Sequence, residues 1–133
     1  MQGWRFHDCL DARGVNLIRQ WLDSSEVAVK AAAKIDARIL YMQSQTTWPP
    51  QYLSALVCWP GLFELRVVSA GIQYRPIGFY GPSRGEFTLL IGTVEKSKIR
   101  NSVLEVADEL GKIASKDRTR VREHEFRASP ASR

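Results

Sequence analysis

From residue 62 to residue 94 the chain gives up any helical period and holds a period of two through three successive runs, which is what most restricts its fold. Phe63, Leu65 and Val67 alternate with Glu64 and Arg66; Ser69-Ala70-Gly71 leads into Ile72–Tyr80, and Pro82-Ser83-Arg84-Gly85 into Glu86–Val94. Successive strand residues point to opposite faces, so such alternation needs one buried face, and short glycine-containing links join neighbouring strands antiparallel. A three-stranded meander is therefore expected, with Phe63, Leu65 and Val67 in the core and Tyr74 buried in phase with Ile72. Pro76 lacks an N–H and calls for a bulge or an edge position in the second strand.

Helical spacing flanks these runs. Val15, Ile18 and Leu22 predict one helix, and Asp23-Ser24-Ser25-Glu26 sets a cap residue three positions ahead of a glutamate, so a second helix is expected to begin near Ser24. It carries Ala28, Ala32, Ile35, Ile39 and Met42 on one stripe, and Pro49-Pro50 marks its latest end. These two helices are expected to form an antiparallel hairpin over one sheet face. Val103, Val106, Ala107, Leu110, Ile113 and Ala114 predict a third helix, which Gly111 weakens. Residues 4 to 10 read as a first strand, and residues 120 to 126 as either a last short strand or a charged extension. The fold class expected is α+β, a helical hairpin on a small twisted, mainly antiparallel sheet with a further C-terminal helix. Residues 1–127 are expected to form one domain, and 128–133 a frayed tail.

With 133 residues, 44% of them apolar, the chain suffices for one core. No run approaches the roughly 18 apolar residues of a membrane span. Met1-Gln2-Gly3-Trp4-Arg5 lacks the apolar stretch of a secretory signal, so a cytoplasmic location without membrane association is expected. Cys9 and Cys58 read as reduced thiols, and two histidines far apart make no zinc cluster, so neither a metal nor a cofactor is expected. The net charge of +5 is uneven: the first 95 residues contribute +1 and the last 38 contribute +4. Such an excess favours an anionic partner.

Glu64, Arg66, Gln73 and Arg75 alternate on neighbouring strands and can share the sheet face away from the helical hairpin. Lys96, Lys98 and Arg100 follow at the end of the third strand, so five cations can converge on one surface. Arg66 is the natural partner of Glu64; Arg75 either pairs in this way or holds phosphate oxygens, and Glu64 or Glu95 can act as a general base or simply neutralise an arginine. His124 can exchange a proton near neutrality or stand solvated and inert, whereas His7 reads as hydrogen-bonded to Asp8 or the main chain. Trp48 and Trp59, beside prolines, read as pins for the long connection rather than as nucleotide readers.

Gly61-Leu62-Phe63-Glu64-Leu65-Arg66-Val67-Val68, then Gln73-Tyr74-Arg75-Pro76-Ile77-Gly78-Phe79-Tyr80, then Phe87-Thr88-Leu89-Leu90-Ile91-Gly92-Thr93-Val94-Glu95-Lys96-Ser97-Lys98 form an ordered triplet of strand motifs. Together with the helices on either side they resemble the RelE/ParE toxin superfamily, in particular its phage-derived, HigB-like branch, over about residues 15 to 115. The chain departs from that pattern where the family often has two adjacent lysines, and no proline opens the segment Ile99-Arg100-Asn101-Ser102.

The resemblance implies a metal-independent endoribonuclease of a toxin-antitoxin system that cuts mRNA on the ribosome. Its expected partner is a cognate antitoxin, often with a helix-turn-helix domain. In the ParE branch the same fold poisons DNA gyrase instead, and a non-enzymatic RNA- or protein-binding member is a third reading. Taken together with the reading of the charged residues above, the candidate site comprises Arg75, Lys96, His124 and Glu64 as catalytic groups, with Arg66, Lys98 and Arg100 on the phosphate. Arg75 and Lys96 match family positions best, Arg66 matches an arginine with a structural role, and His124 matches a late histidine only in approximate place.

Overall fold

The alternating runs do form the sheet. A computed structural model describes residues 3–95 and 98–127. Strand β1 (Arg5–Cys9) is followed by helices α1 (Leu17–Leu22) and α2 (Val29–Gln43), and then by β2 (Leu53–Ala55), β3 (Phe63–Leu65), β4 (Val67–Ser69), β5 (Ile72–Tyr80) and β6 (Glu86–Val94). Helix α3 (Asn101–Ala114), a single 3-10 turn (Arg118–Arg120) and β7 (Val121–Glu123) complete the described chain. The sheet order is β2-β3-β5-β6-β1-β7, with β4 also paired to β5. All pairings are antiparallel except β1 with β6, so the sheet is mixed and open.

The meander is present, but its first run is split at Arg66. β4 pairs with β5 as far as Tyr74, and β3 resumes at Ile77, so Arg75 and Pro76 lie opposite the break. The N–H that Pro76 lacks therefore costs no ladder bond on that side, which lets a proline occupy an interior strand. A register shift follows at Ile77/Gly78. The Ala70-Gly71 turn has positive φ at both residues, 52° and 78°, as a two-residue hairpin of right-handed twist requires.

Both faces are covered. Helices α1 and α2 pack Ile18, Leu22, Ile35, Ile39 and Met42 onto Phe6, Leu65, Val67 and Phe87, while α3 packs Leu104, Ala107, Leu110 and Ala114 onto Ile77, Phe79 and Leu90. Each large side chain removed from water in this way contributes roughly 1.5–3 kcal/mol. Tyr74, Leu65 and Val67 are buried as expected, whereas Phe63 is half-buried and meets Tyr80 edge-on.

Two local expectations are corrected. Helix α2 begins at Val29, not near Ser24, because the Ser24 hydroxyl donates back to the Trp21 carbonyl and accepts the Glu26 N–H. Those bonds close a turn at the end of α1 in place of a capping box. His7 Nε2 lies 3.1 Å from Glu86 Oε2 rather than against Asp8, because adjacent strand residues project to opposite faces. Residues 121–123 are a strand, paired antiparallel to β1, which thereby becomes an interior strand. The expected tail, 128–133, lies outside the described residues, among which no helix is long and apolar enough to cross a membrane.

Candidate functional site

Glu64 pairs with Ile77, a residue of the core beneath α3, so its side chain projects to the α3 face. Arg75, two residues before Ile77 on β5, shares that face. Arg75 Nη1 lies 3.5 Å from Glu64 Oε1, and Arg66 Nη2 3.3 Å from Oε2. Gln73 Oε1 accepts a 2.9 Å hydrogen bond from Arg75 Nη2. The carboxylate of Glu64 is only 6% exposed, the Arg75 side chain 9%, and the Arg66 side chain 51%. A buried carboxylate is tolerable only when its charge is answered locally, and here two guanidiniums answer it.

These side chains open onto a cleft of about 590 Å³ between the sheet, the loop after β2 and the start of α3. Glu64, Arg66, Arg75 and Lys98 supply its polar lining, and Leu56, Trp59, Ile99 and Leu104 its apolar lining. The arrangement follows from the chain path: β3 and β5 carry Glu64 and Arg75, while β6 ends where Lys98 and Asn101 are delivered to the cleft rim. A pocket with an apolar wall and convergent cations suits a ligand that combines an anion with a flat hydrophobic part.

Four expected site residues thus meet: Glu64, Arg66, Arg75 and Lys98. Lys96 lies outside the described residues. Arg100 does not line the cleft; its Nε is 3.5 Å from Glu95 Oε1, which also accepts the Arg100 N–H at 3.0 Å. The other oxygen of Glu95 accepts the Thr93 hydroxyl, so Glu95 anchors the approach to α3 and does not face the cleft as a free base.

His124 is the marked departure. It lies on the opposite sheet face, buried against Asp8 of β1 and Asp36 of α2, with Nδ1 2.7 Å from Asp8 Oδ1 and Nε2 2.9 Å from Asp36 Oδ1. It neither reaches the Glu64 cleft nor stands in solvent. Four strand spacings separate β3 from β7, roughly 19 Å across the sheet. Carboxylates only accept, so both ring nitrogens carry hydrogen and the ring is an imidazolium. Burial pushes its pKa down, but hydrogen bonds to Asp36 and Asp8 and the charges of both outweigh this and raise it to about 9.

Arg19 completes the cluster, donating to Asp36 at 3.2 Å and to the Glu125 carbonyl at 2.7 Å. Asp8 Oδ2 also accepts from Asn16 Nδ2 and the Glu125 N–H. Arg19 also reaches Asp23, which Arg127 pairs as well, so three cations meet three carboxylates; both oxygens of Asp8 and of Asp36 are engaged, and this is a clamp on the last described segment rather than a reaction centre. One signal of it was legible: Asp36 interrupts the buried stripe of α2 between Ile35 and Ile39.

The cleft's apolar wall is the other feature that periodicity does not reveal, because Leu56 and Trp59 belong to an irregular loop. Among the described residues, no cluster of three or more His, Cys, Asp or Glu side chains is arranged to hold a metal. Cys9 is buried and its thiol pushed up to about 11, mainly by burial, while Cys58 is free and exposed at the cleft. No protein-family model, no curated protein and no solved structure matches the chain.

Proposed function

We propose that the protein is the toxin of a toxin-antitoxin system, of the RelE/ParE type and HigB-like, and that it cuts mRNA without a metal in the cleft between β3, β5 and α3. The observation that carries this reading is the convergence of Glu64, Arg66, Arg75 and Lys98 on one concave surface with an apolar wall. The succession of helix pair, meander and further helix supports it, being the order the family resemblance implies.

In this mechanism the RNA 2′-hydroxyl attacks the adjacent phosphorus and gives up its proton to Glu64. The 5′-oxygen leaves with a proton taken from solvent at the open mouth of the cleft. The products are a 2′,3′-cyclic phosphate and a 5′-hydroxyl end. Arg75 and Lys98 stabilise charge developing on the phosphorane oxygens, and Arg66 orients Glu64. A cytoplasmic location and an antitoxin with an acidic surface that covers the cations of the cleft belong to the same proposal.

A second reading, an RNA- or protein-binding domain without turnover, draws on the diversion of His124 and Glu95 to structural bonds, which leaves Glu64 the only expected proton-transfer residue lining the cleft among the described residues. Incubation with translating ribosomes, followed by mapping of mRNA ends, separates the two. New 5′-hydroxyl ends within translated regions support the nuclease, and intact transcripts at saturating protein refute it.

A further inference from the structure

The four tryptophans are not equivalent. Trp4 and Trp48 join an aromatic cluster with Tyr80, and their indole nitrogens donate to the carbonyls of Thr46 and Met42. Trp21 is buried beside Tyr74. Trp59 alone meets no other aromatic ring among the described residues. It is half-buried, with its apolar body packed against the core under α3 and part of its surface lining the cleft that holds Glu64, Arg66, Arg75 and Lys98.

The loop that presents it is held in an unusual shape. The Trp59 N–H donates to the Leu56 carbonyl, and Cys58, at the third position of that turn, has φ of 69°, where glycine is normally required. A non-glycine residue there costs on the order of 1 kcal/mol or more. The Leu56 N–H donates to the Leu62 carbonyl and the Leu62 N–H to the Trp59 carbonyl, so the turn is closed on itself and Trp59 is fixed at the wall. A large flat side chain held beside three cations meets both needs of a nucleotide, a surface for the base and charge for its phosphate.

We infer that Trp59 is a base-stacking platform, so that the cleft recognises a single-stranded segment by one base on the indole and the neighbouring phosphate on Arg75 and Lys98. This rests on the reading of the cleft as a phosphodiester site and adds a residue that governs preference for base-bearing chains. Trp59 acts on binding and position, with no part in proton transfer.

The test measures affinity for two labelled hexamers at low salt: a single-stranded deoxyoligonucleotide, which has no 2′-hydroxyl to react, and the same backbone made fully abasic. Wild-type protein is expected to bind the base-bearing hexamer more tightly. Trp59→Ala should weaken that binding by about five- to 150-fold, the worth of one stacked base, and leave the abasic hexamer unchanged. Trp59→Phe should recover most of the loss.

Equal binding of the base-bearing hexamer by wild type and Trp59→Ala overturns the platform. So does an equal loss of both hexamers in a variant with native thermal unfolding, which marks a structural effect. Failure of wild-type protein to bind either hexamer instead removes the phosphodiester reading of the cleft itself.

Discussion

His124 Nδ1 stands 2.7 Å from Asp8 Oδ1 across 116 residues of chain, and this contact joins the last described segment to the first strand. With Asp36 on the other ring nitrogen, the imidazolium ties β1, α2 and the residues after β7 into one buried ionic cluster. The last described segment is thereby held by charge as much as by the three-residue pairing of β7.

The cluster makes stability depend on pH in a defined direction. The rise of the His124 pKa from 6.5 to about 9 contributes stability that is present in full below pH 6.5 and lost as pH climbs through 9. The amount is about 3 kcal/mol. Asp36, although its burial opposes ionisation, is held below its ordinary value by the bond to His124 and the charges of His124 and Arg19, so a second loss occurs as pH falls through its lowered pKa. Urea unfolding at pH 6, 7.5 and 9.5 should show the alkaline decline, and His124→Gln should be less stable at pH 6 and nearly flat over the same range. A variant as steep as wild type would refute this account.

Arg75 and Arg66 both touch Glu64 yet differ in burial, so their removal should differ in cost. Arg75→Ala takes a buried partner from a buried carboxylate and should lose about 3–5 kcal/mol. Arg66→Ala, at a half-exposed pair, should lose less than about 1 kcal/mol. Denaturation midpoints check this directly, and a loss of the proposed RNA cleavage in Arg75→Ala has meaning only at a temperature where that variant is folded.

Lys98 is exposed at the cleft with no structural bond to break among the described residues, which makes it the cleaner probe of anion binding. Lys98→Ala should melt like wild type while the dependence of single-stranded nucleic-acid affinity on salt becomes shallower by about 0.7 in log–log slope, the share of one phosphate contact. An unchanged slope would place the phosphate elsewhere.

Two glycines should respond to alanine with opposite signs. A Cβ on Gly92 would lie 2.2 Å from the Trp21 ring, so Gly92→Ala must displace a buried indole and should cost about 1–3 kcal/mol or more. On Gly111 the nearest atom would be Leu90 Cδ1 at 3.5 Å, an ordinary contact, so Gly111→Ala should stabilise α3 by about 0.5–1 kcal/mol. Thermal unfolding of both variants checks the pair.

The meander, the helical stripes and the placing of Glu64, Arg66 and Arg75 on one face were legible because they depend on periods of two and 3.6 within short windows. The start of α2 was misread because Ser24 has a competing bond to the Trp21 carbonyl that composition does not reveal. Phe63 had the right parity and the wrong depth, since β3 lies near the β2 edge, where the sheet is less covered. Trp59 does pack its loop against the core, as expected of a pin, but its share in the cleft wall is not legible, because an irregular loop carries no period from which to read its direction.

Local alternation and spacing determined the strand and helix types of this chain and the face each strand residue takes, because backbone geometry alone converts sequence separation into direction. Only the tertiary structure decided the partners. The parallel contact of β1 with β6, the docking of β7 on β1 and the burial of His124 between Asp8 and Asp36 are contacts between distant segments. Such contacts are set by how covered faces and buried charges are satisfied together, a condition on the whole chain that no short window of residues contains.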